Sequence, residues 1–295
     1  MSEDLFSKIS SLESGFSPKQ KTMADYVVSH LQELPFKTTA EISRDAGVSE
    51  PTVIRFVRLL GYKGFVEFRD ELQRKLMQKF GPSGRFHQVS AVNKNLEEIV
   101  NGLFEDEIHN LRETQKGLDI RQIEEIVQQI IAARTKYIVG LRNCAGCAHV
   151  LGRVLSHILP NVLSIFDGDI RMYESLRAIG KEDVLITISY PRYLKNTVEA
   201  VQFAKLRRAT TITITDSKLS PSAQISRYSI IAFSRSFTFA NSYAASLSVV
   251  NLLAGLISRF NKKEAEAVLG EWEKSLEPLQ AFYNGNKAPS LQSKL

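Results

Sequence analysis

"AEISRDAGVSEPTVIRFVRLLG", Ala40 to Gly61, decides how the first part of the chain is built. Ile42, Ala46, Val48, Val53, Val57 and Leu60 fall where two short helices share a core, and Gly47 stands at the turn between them, where a positive φ is needed. Helix, short glycine turn and second helix make the pattern of a helix-turn-helix. The second helix is expected to leave Ser49, Glu50, Thr52, Arg55 and Arg58 on its free face, with Lys63 just beyond. Arginine and lysine reach phosphates or guanine edges, and serine and threonine suit phosphate oxygens at a helix start, so the expected partner is double-stranded DNA. Spacing alone does not separate this from a solvated helix in a bundle of another purpose.

Working outward, the flanking residues carry clear helix starts. Ser17-Pro18-Lys19-Gln20 places a capping serine, a proline at the first helical position and a glutamine at the third. Thr38-Thr39-Ala40-Glu41 repeats the capping box, and the Ser49 side chain is expected to accept the backbone N–H near Thr52. Three caps predict a compact helical domain over residues 1–80 with no strand. Gly81-Pro82-Ser83-Gly84 then marks a linker, 81–92.

Beyond it a helical stretch, 93–133, leads into short apolar runs at Tyr137–Leu141, Val162–Phe166, Val184–Ser189, Thr210–Thr215 and Tyr228–Phe233. Helices are expected between most of them, as at Cys147–Leu159 and Thr197–Arg207. Strands alternating with helices imply an α/β domain, 93–283, with a five-stranded parallel sheet flanked by helices and ligands at the carboxyl ends of the strands. The segment 284–295 reads as a disordered tail without a role.

Composition permits this plan without naming a task. The 295 residues suit two domains, and 43% hydrophobic with 24% charged residues is ordinary globular usage. The net charge of +6 allows a polyanionic partner but does not demand one. The amino terminus MSEDLFSKIS lacks the order of a secretion signal, no apolar run approaches a membrane span, and two cysteines argue against a disulfide framework, so the cytoplasm is the expected compartment. Cys144 and Cys147 form a C-x-x-C whose simplest reading is two small residues in a strand-to-helix turn, with a redox pair as the alternative.

The run from Ala40 to Leu72 resembles the amino-terminal helix-turn-helix of the RpiR family of bacterial transcriptional regulators, where VS-x-x-TV-x-RF-x-x-x-LG-[YF]-x-G-F-x-EF is characteristic. Val48, Ser49, Thr52, Val53, Arg55, Phe56, Leu60, Gly61, Tyr62, Gly64, Phe65, Glu67 and Phe68 match. The resemblance runs from about Leu5 to Phe260 and implies that the second domain is a sugar isomerase (SIS) domain that senses a small molecule, commonly a phosphosugar.

The two turns that should hold such a ligand depart from the resemblance. In phosphosugar-binding SIS domains the turn after the first strand reads like G-x-G-x-S and that after the third like S-x-S-G-x-T, supplying hydroxyls and amides to a phosphate. Here they are "GLRNCAG", Gly140 to Gly146, and "SYPRYLKN", Ser189 to Asn196. Arg142 and Arg192 stand at glycine positions, Cys144 and Pro191 at serines, Leu194 at the threonine, and only Ser189 keeps its hydroxyl. Two guanidinium forks in place of hydroxyls suit a carboxylate or a phosphate. The expected effector is a small anionic metabolite, a phosphorylated sugar or a carboxylate, held by Arg142, Asn143, Cys144, Ser189, Arg192, Tyr193 and Asn196. Structural ion pairs from these arginines to Asp167 or Asp169 are the alternative.

An SIS-type sugar-phosphate isomerase is the rival function, with His149, His157 and Glu199 as candidate bases. His149 is expected to pack against the sheet or a helix, and no base is paired with an intact phosphate site, so no catalytic residue is assigned. No cofactor is expected, and no zinc, since Cys144, Cys147 and His149 lack a second ligand cluster. A small helix-turn-helix needs paired half-sites, so a homodimer or homotetramer is expected, with the apolar helix Phe239–Phe260 as a candidate contact or an ordinary core helix.

Overall fold

The computed structural model describes residues 5–12, 15–30, 34–80, 95–236 and 238–277, so the expected linker 81–92 and tail 284–295 lie outside the described residues. The first five helices are α1 (Leu5–Leu12), α2 (Pro18–Ser29), α3 (Thr39–Asp45), α4 (Glu50–Leu59) and α5 (Phe65–Phe80). Both predicted capping boxes form: the Gln20 side chain accepts the Ser17 amide at 2.7 Å, and that of Glu41 accepts the Thr38 amide at 2.7 Å. Gly47 takes φ +66° and turns α3 into α4. Met23, Val27, Ile42, Val53, Phe56 and Val57 are fully buried together, with Phe16 edge-on to Phe56 at 5.6 Å. Ala46 and Val48 are only partly buried at the edge of this core.

The third helix start differs from expectation. The Ser49 carbonyl accepts the Thr52 amide at 2.8 Å, and the Ser49 hydroxyl instead lies 2.8 Å from the Thr52 hydroxyl. Thr52 is therefore turned inward and buried, not presented on the free face. The residue sits one turn before Phe56, on the seam that α4 lays into the core.

Two long helices, α6 (Leu96–Gly117) and α7 (Ile120–Ala132), replace the single stretch expected over 93–133. Asp119 starts the second by accepting the amides of Arg121 and Gln122 at 3.0 and 3.2 Å. The sheet follows as β1 (Lys136–Gly140), α8 (Cys144–Ser156), β2 (Val162–Ile165), α9 (Ile170–Leu176), β3 (Val184–Ile188), α10 (Lys195–Leu206), β4 (Thr210–Thr215), α11 (Pro221–Ile225) and β5 (Tyr228–Ile231), and then come α12 (Ala244–Phe260) and α13 (Lys262–Leu276). All five strands are parallel, in the order β2-β1-β3-β4-β5. Alternate side chains serve two cores: Ile138, Ile186 and Ile188 face α7, α8 and α12, whereas Tyr137, Val139 and Leu185 face α9 and α10. The helix expected from Phe239 begins only at Ala244, and the residues before it are loop.

At the amino ends of the central strands, Asp183 is the anchor. Its buried carboxylate takes Arg134 through Nε at 3.0 Å and Nη2 at 2.6 Å, the Thr135 amide at 3.1 Å and the Gly180 amide at 2.8 Å. Burial pushes the Asp183 pKa up, but the Arg134 hydrogen bonds, the two amides and the Arg134 charge outweigh it and hold the group below its ordinary value. A depressed carboxylate stabilises the fold fully above its unfolded pKa of about 4, and that contribution is lost as pH falls through the folded value. Replacing Asp183→Ala should cost about 3 kcal/mol at neutral pH, because a guanidinium and two amides lose their acceptor. Urea melts of wild type and variant should converge as the solution is acidified below about pH 4, and an undiminished gap there contradicts the assignment.

Candidate functional site

β1 and β3 are neighbours whose following helices leave to opposite faces, so their carboxyl ends open a crevice at the switch point of the sheet. The first turn is drawn tight: a Cβ on Gly140 would lie 2.5 Å from the Ala148 Cβ and 2.7 Å from the Cys144 carbonyl oxygen, so only glycine lets α8 approach the strand end. Arg142 then takes φ +54° and, in the second turn, Arg192 takes φ +72°. Both arginines thus adopt the left-handed backbone that suits the glycines of the phosphosugar pattern, at a cost of about 1–2 kcal/mol each. Non-glycine residues in that region cluster at functional sites.

Between the turns lies an open cavity of about 630 Å³, mouth included. Arg142, Asn143 and Cys144 line it from the first turn, and Ser189 and Arg192 from the second. Both arginines are exposed, and neither guanidinium has a hydrogen-bond or ion-pair partner among the described residues. The acids that could have neutralised them are committed elsewhere, since Arg171 holds Asp167 at 3.4 Å and Asp169 at 2.8 Å. The amides of Cys144, Ala145 and Gly146 already bond to the carbonyls of Leu141, Arg142 and Asn143. Charge at this cavity therefore comes from side chains more than from a backbone cradle.

Two expected ligand residues are not in the lining. Tyr193 donates its hydroxyl to Asp216 Oδ1 at 2.8 Å and sets its ring edge-on to Phe36 of the helical domain, 5.6 Å between centroids. Asn196 donates its side-chain amide to the Gly168 carbonyl. The sequence reading also missed a third wall, made by Phe239, Ala240, Asn241 and Tyr243 in the loop before α12. Its signal was faint: a run of small and aromatic residues that continues into an apolar helix. Tyr190 closes the floor, its hydroxyl donating to the Ala232 carbonyl at 3.0 Å and meeting the Ser246 hydroxyl.

The titratable groups here are tuned away from nucleophilic chemistry. Burial raises the Cys144 thiol and pushes Cys147 up to about 11, so both are protonated at neutral pH and both are free. Burial also raises Asp216. His149 is exposed, not packed inward as expected, with its ring 5.4 Å from Phe166, and His157 lies against Trp272 at 4.5 Å. Glu199 accepts the Tyr173 hydroxyl at 2.7 Å and pairs with Lys195 at 3.3 Å. None of these three lines the cavity. Among the described residues no three His, Cys, Asp or Glu side chains converge to hold a metal.

On α4 the outward face carries Ser49, Glu50, Arg55 and Arg58, with Lys63 after the turn, all exposed. Glu50 accepts the Thr39 hydroxyl at 2.7 Å and so pins the start of α4 to the start of α3. Arg58 Nε donates to the Lys63 carbonyl at 3.4 Å, and Arg55 reaches the buried Thr52 hydroxyl at 3.4 Å.

A helix-turn-helix in front of an α/β domain with a parallel five-stranded sheet is the plan of a two-domain DNA-binding protein, and comparison with known proteins narrows it. Residues 3–79 match the helix-turn-helix domain of the rpiR family, and residues 129–256 match the SIS domain. An uncharacterized HTH-type transcriptional regulator of Haemophilus influenzae is 26% identical over 231 residues, 78% of this chain and 80% of the relative. The sugar isomerase domain of an RpiR transcription factor from Sphaerobacter thermophilus is 30% identical, with a TM-score of 0.57 over 58% of this chain and 96% of that one. NanR of Vibrio vulnificus, solved in complex with ManNAc-6P, shares the fold across 95% of this chain and all of its own, at 21% identity and a TM-score of 0.67. The chain belongs to the RpiR family of helix-turn-helix transcriptional regulators and carries an SIS domain. No single helix among the described residues is long and apolar enough to cross a membrane.

Proposed function

We propose that a small anionic metabolite enters the cavity between Arg142 and Arg192 and thereby controls binding of a DNA operator by α4, within a cytoplasmic regulator divided into a reader, 1–80, and a sensor, 93–283. The observation that carries this reading is the pair of guanidiniums without a partner among the described residues, each on a left-handed backbone in the lining of one cavity. Each offers a planar fork, with Ser189 adding a hydroxyl and Asn143 an amide for the rest of the ligand. The phosphosugar bound by NanR favours a sugar phosphate, and the same forks accept a carboxylate.

Control of DNA binding needs a path between the two domains, and a contact of the right kind is present. Tyr193 follows Arg192 directly and touches Phe36, while Gln224 Nε2 donates to the Phe36 carbonyl at 3.2 Å. Phe36 immediately precedes Lys37, a buried lysine that donates to Tyr26 and to Asp45 at 2.9 Å each, so a shift of the sensor turn bears on the frame that holds α3. Effector and operator then influence each other reciprocally.

Isothermal titration with a panel of sugar phosphates and sugar carboxylates should find a ligand whose affinity drops at least about tenfold in Arg192→Ala, the loss of one charge-assisted fork. An unchanged affinity ends the clamp. Arg55→Ala with Arg58→Ala should abolish site-selective footprints and flatten the fall of affinity with salt by about one unit of slope per phosphate contact removed. Retained footprints would refute docking through α4. Phe36→Ala should keep both effector and operator affinities while losing most of the effect of one on the other; persistence of full coupling would rule out this path.

A further inference from the structure

The cavity at the ends of β1 and β3 holds two cations and no acid. Its lining contains Arg142 and Arg192 but neither aspartate nor glutamate, and the buried acid that follows β4, Asp216, accepts the Tyr193 and Thr215 hydroxyls at 2.8 and 3.1 Å. Two guanidiniums in one small space repel each other, and a single carboxylate leaves one of them uncompensated. Charge balance therefore asks for a ligand with two negative charges. A phosphate can supply both from one centre, but its three terminal oxygens are ordinarily met by backbone amides at a helix start or in a glycine-rich turn. Those amides are largely spent here. In the first turn the amides of Cys144, Ala145 and Gly146 bond to turn carbonyls. In the second, Pro191 has none, the Ser189 amide bonds to the Ile214 carbonyl at 3.0 Å and that of Thr197 to the Leu194 carbonyl at 3.1 Å. Lys195 and Asn196, which open α10, stand outside the lining.

From these donors we infer that the ligand is a small dicarboxylate, with one carboxylate on each guanidinium and a short carbon chain between them. The inference rests on the reading of this cavity as an effector site and takes the carboxylate branch of it. A carboxylate has two coplanar oxygens, and one guanidinium fork meets both. Two forks thus match two carboxylates one to one, leaving no terminal oxygen that needs an amide. The arginines also belong to different walls, since Gly140 and Ile188 pair across β1 and β3 and each turn leaves from one of these two strand ends. Leu141, Ile188, Leu194 and Phe239 line the same cavity, and such apolar walls gain by covering methylene groups rather than a ring of hydroxyls. Ser189 and Asn143 remain for a hydroxyl or keto oxygen on the chain.

Isothermal titration of the full chain with malonate, succinate, glutarate and adipate, beside their half-amides and a set of sugar phosphates, tests it. One diacid length should bind best, and its half-amide, which keeps the length but loses one charge, should bind at least about tenfold more weakly. In Arg142→Gly and in Arg192→Gly the diacid should lose about tenfold, and each variant should distinguish diacid from half-amide by less than about threefold, because only one fork is left to fill. Glycine suits the left-handed backbone at both positions, so these variants keep the fold. Diacids that fail to bind, or a half-amide that binds wild type as well as its diacid does, overturn the inference. A sugar phosphate that binds more tightly than every diacid and weakens in both variants overturns it too, while leaving the reading of an anionic effector intact. Should no anion of either set depend on either arginine, both readings fall.

Discussion

The buried Asp183 carboxylate sets how the two central strands of the α/β domain stand against each other. It gathers the start of β1, through Arg134 and Thr135, and the turn before β3, through Gly180, onto one group. That ties the two strands at their amino ends in the register that runs from Lys136 opposite Val184 to Gly140 opposite Ile188. Five residues later the strands end level with each other, and the turns after them are forced to face one another. A slip of one residue would exchange the two faces of each strand, and it would also separate Arg142 from Arg192 along the crevice. The cavity is thus a consequence of pairing at the opposite end of the sheet.

At the turns themselves the balance is between local strain and charge. Left-handed arginine costs about 1–2 kcal/mol, and a glycine there would avoid it. A guanidinium bonded to an anion contributes on the order of 1.5–3 kcal/mol per hydrogen bond, and a fork makes two. Keeping the glycine backbone while adding the arginine side chain therefore gains more, once an anion is present, than the backbone loses. Without an anion that strain stands uncompensated at both turns.

How much of this was legible in the sequence depended on the range of the interaction that decides each residue. Capping boxes are settled within three residues, and both appear as written. Strand β4, Thr210–Thr215, has the predicted bounds because its β-branched run is closed by a polar turn at each end. Thr52 was misplaced because a hydroxyl was read by its chemistry, whereas its position one turn before Phe56 puts it on the buried seam. Tyr193 and Asn196 belong by sequence to the ligand turn, yet their partners, Asp216 and Gly168, lie 23 and 28 residues away on other turns of the sheet. Likewise the wall at Phe239 to Tyr243 is held in place from α6, over 100 residues earlier, which no local pattern records.

That last connection gives α6 a particular place in building the cavity. Arg235 is bound by Asp106 and Asn110, the Phe233 amide by Thr114 and the Ser242 hydroxyl by Glu107, so one side of α6 holds the loop that closes the cavity. The side next to it exposes Leu96, Val100, Phe104, Ile108 and Leu111. Asn241 and Tyr243, which line the cavity, therefore stand on a loop whose position is set by α6. On the other side, the contact of Phe36 with Tyr193 joins the turn that carries Arg192 to the helix-turn-helix domain.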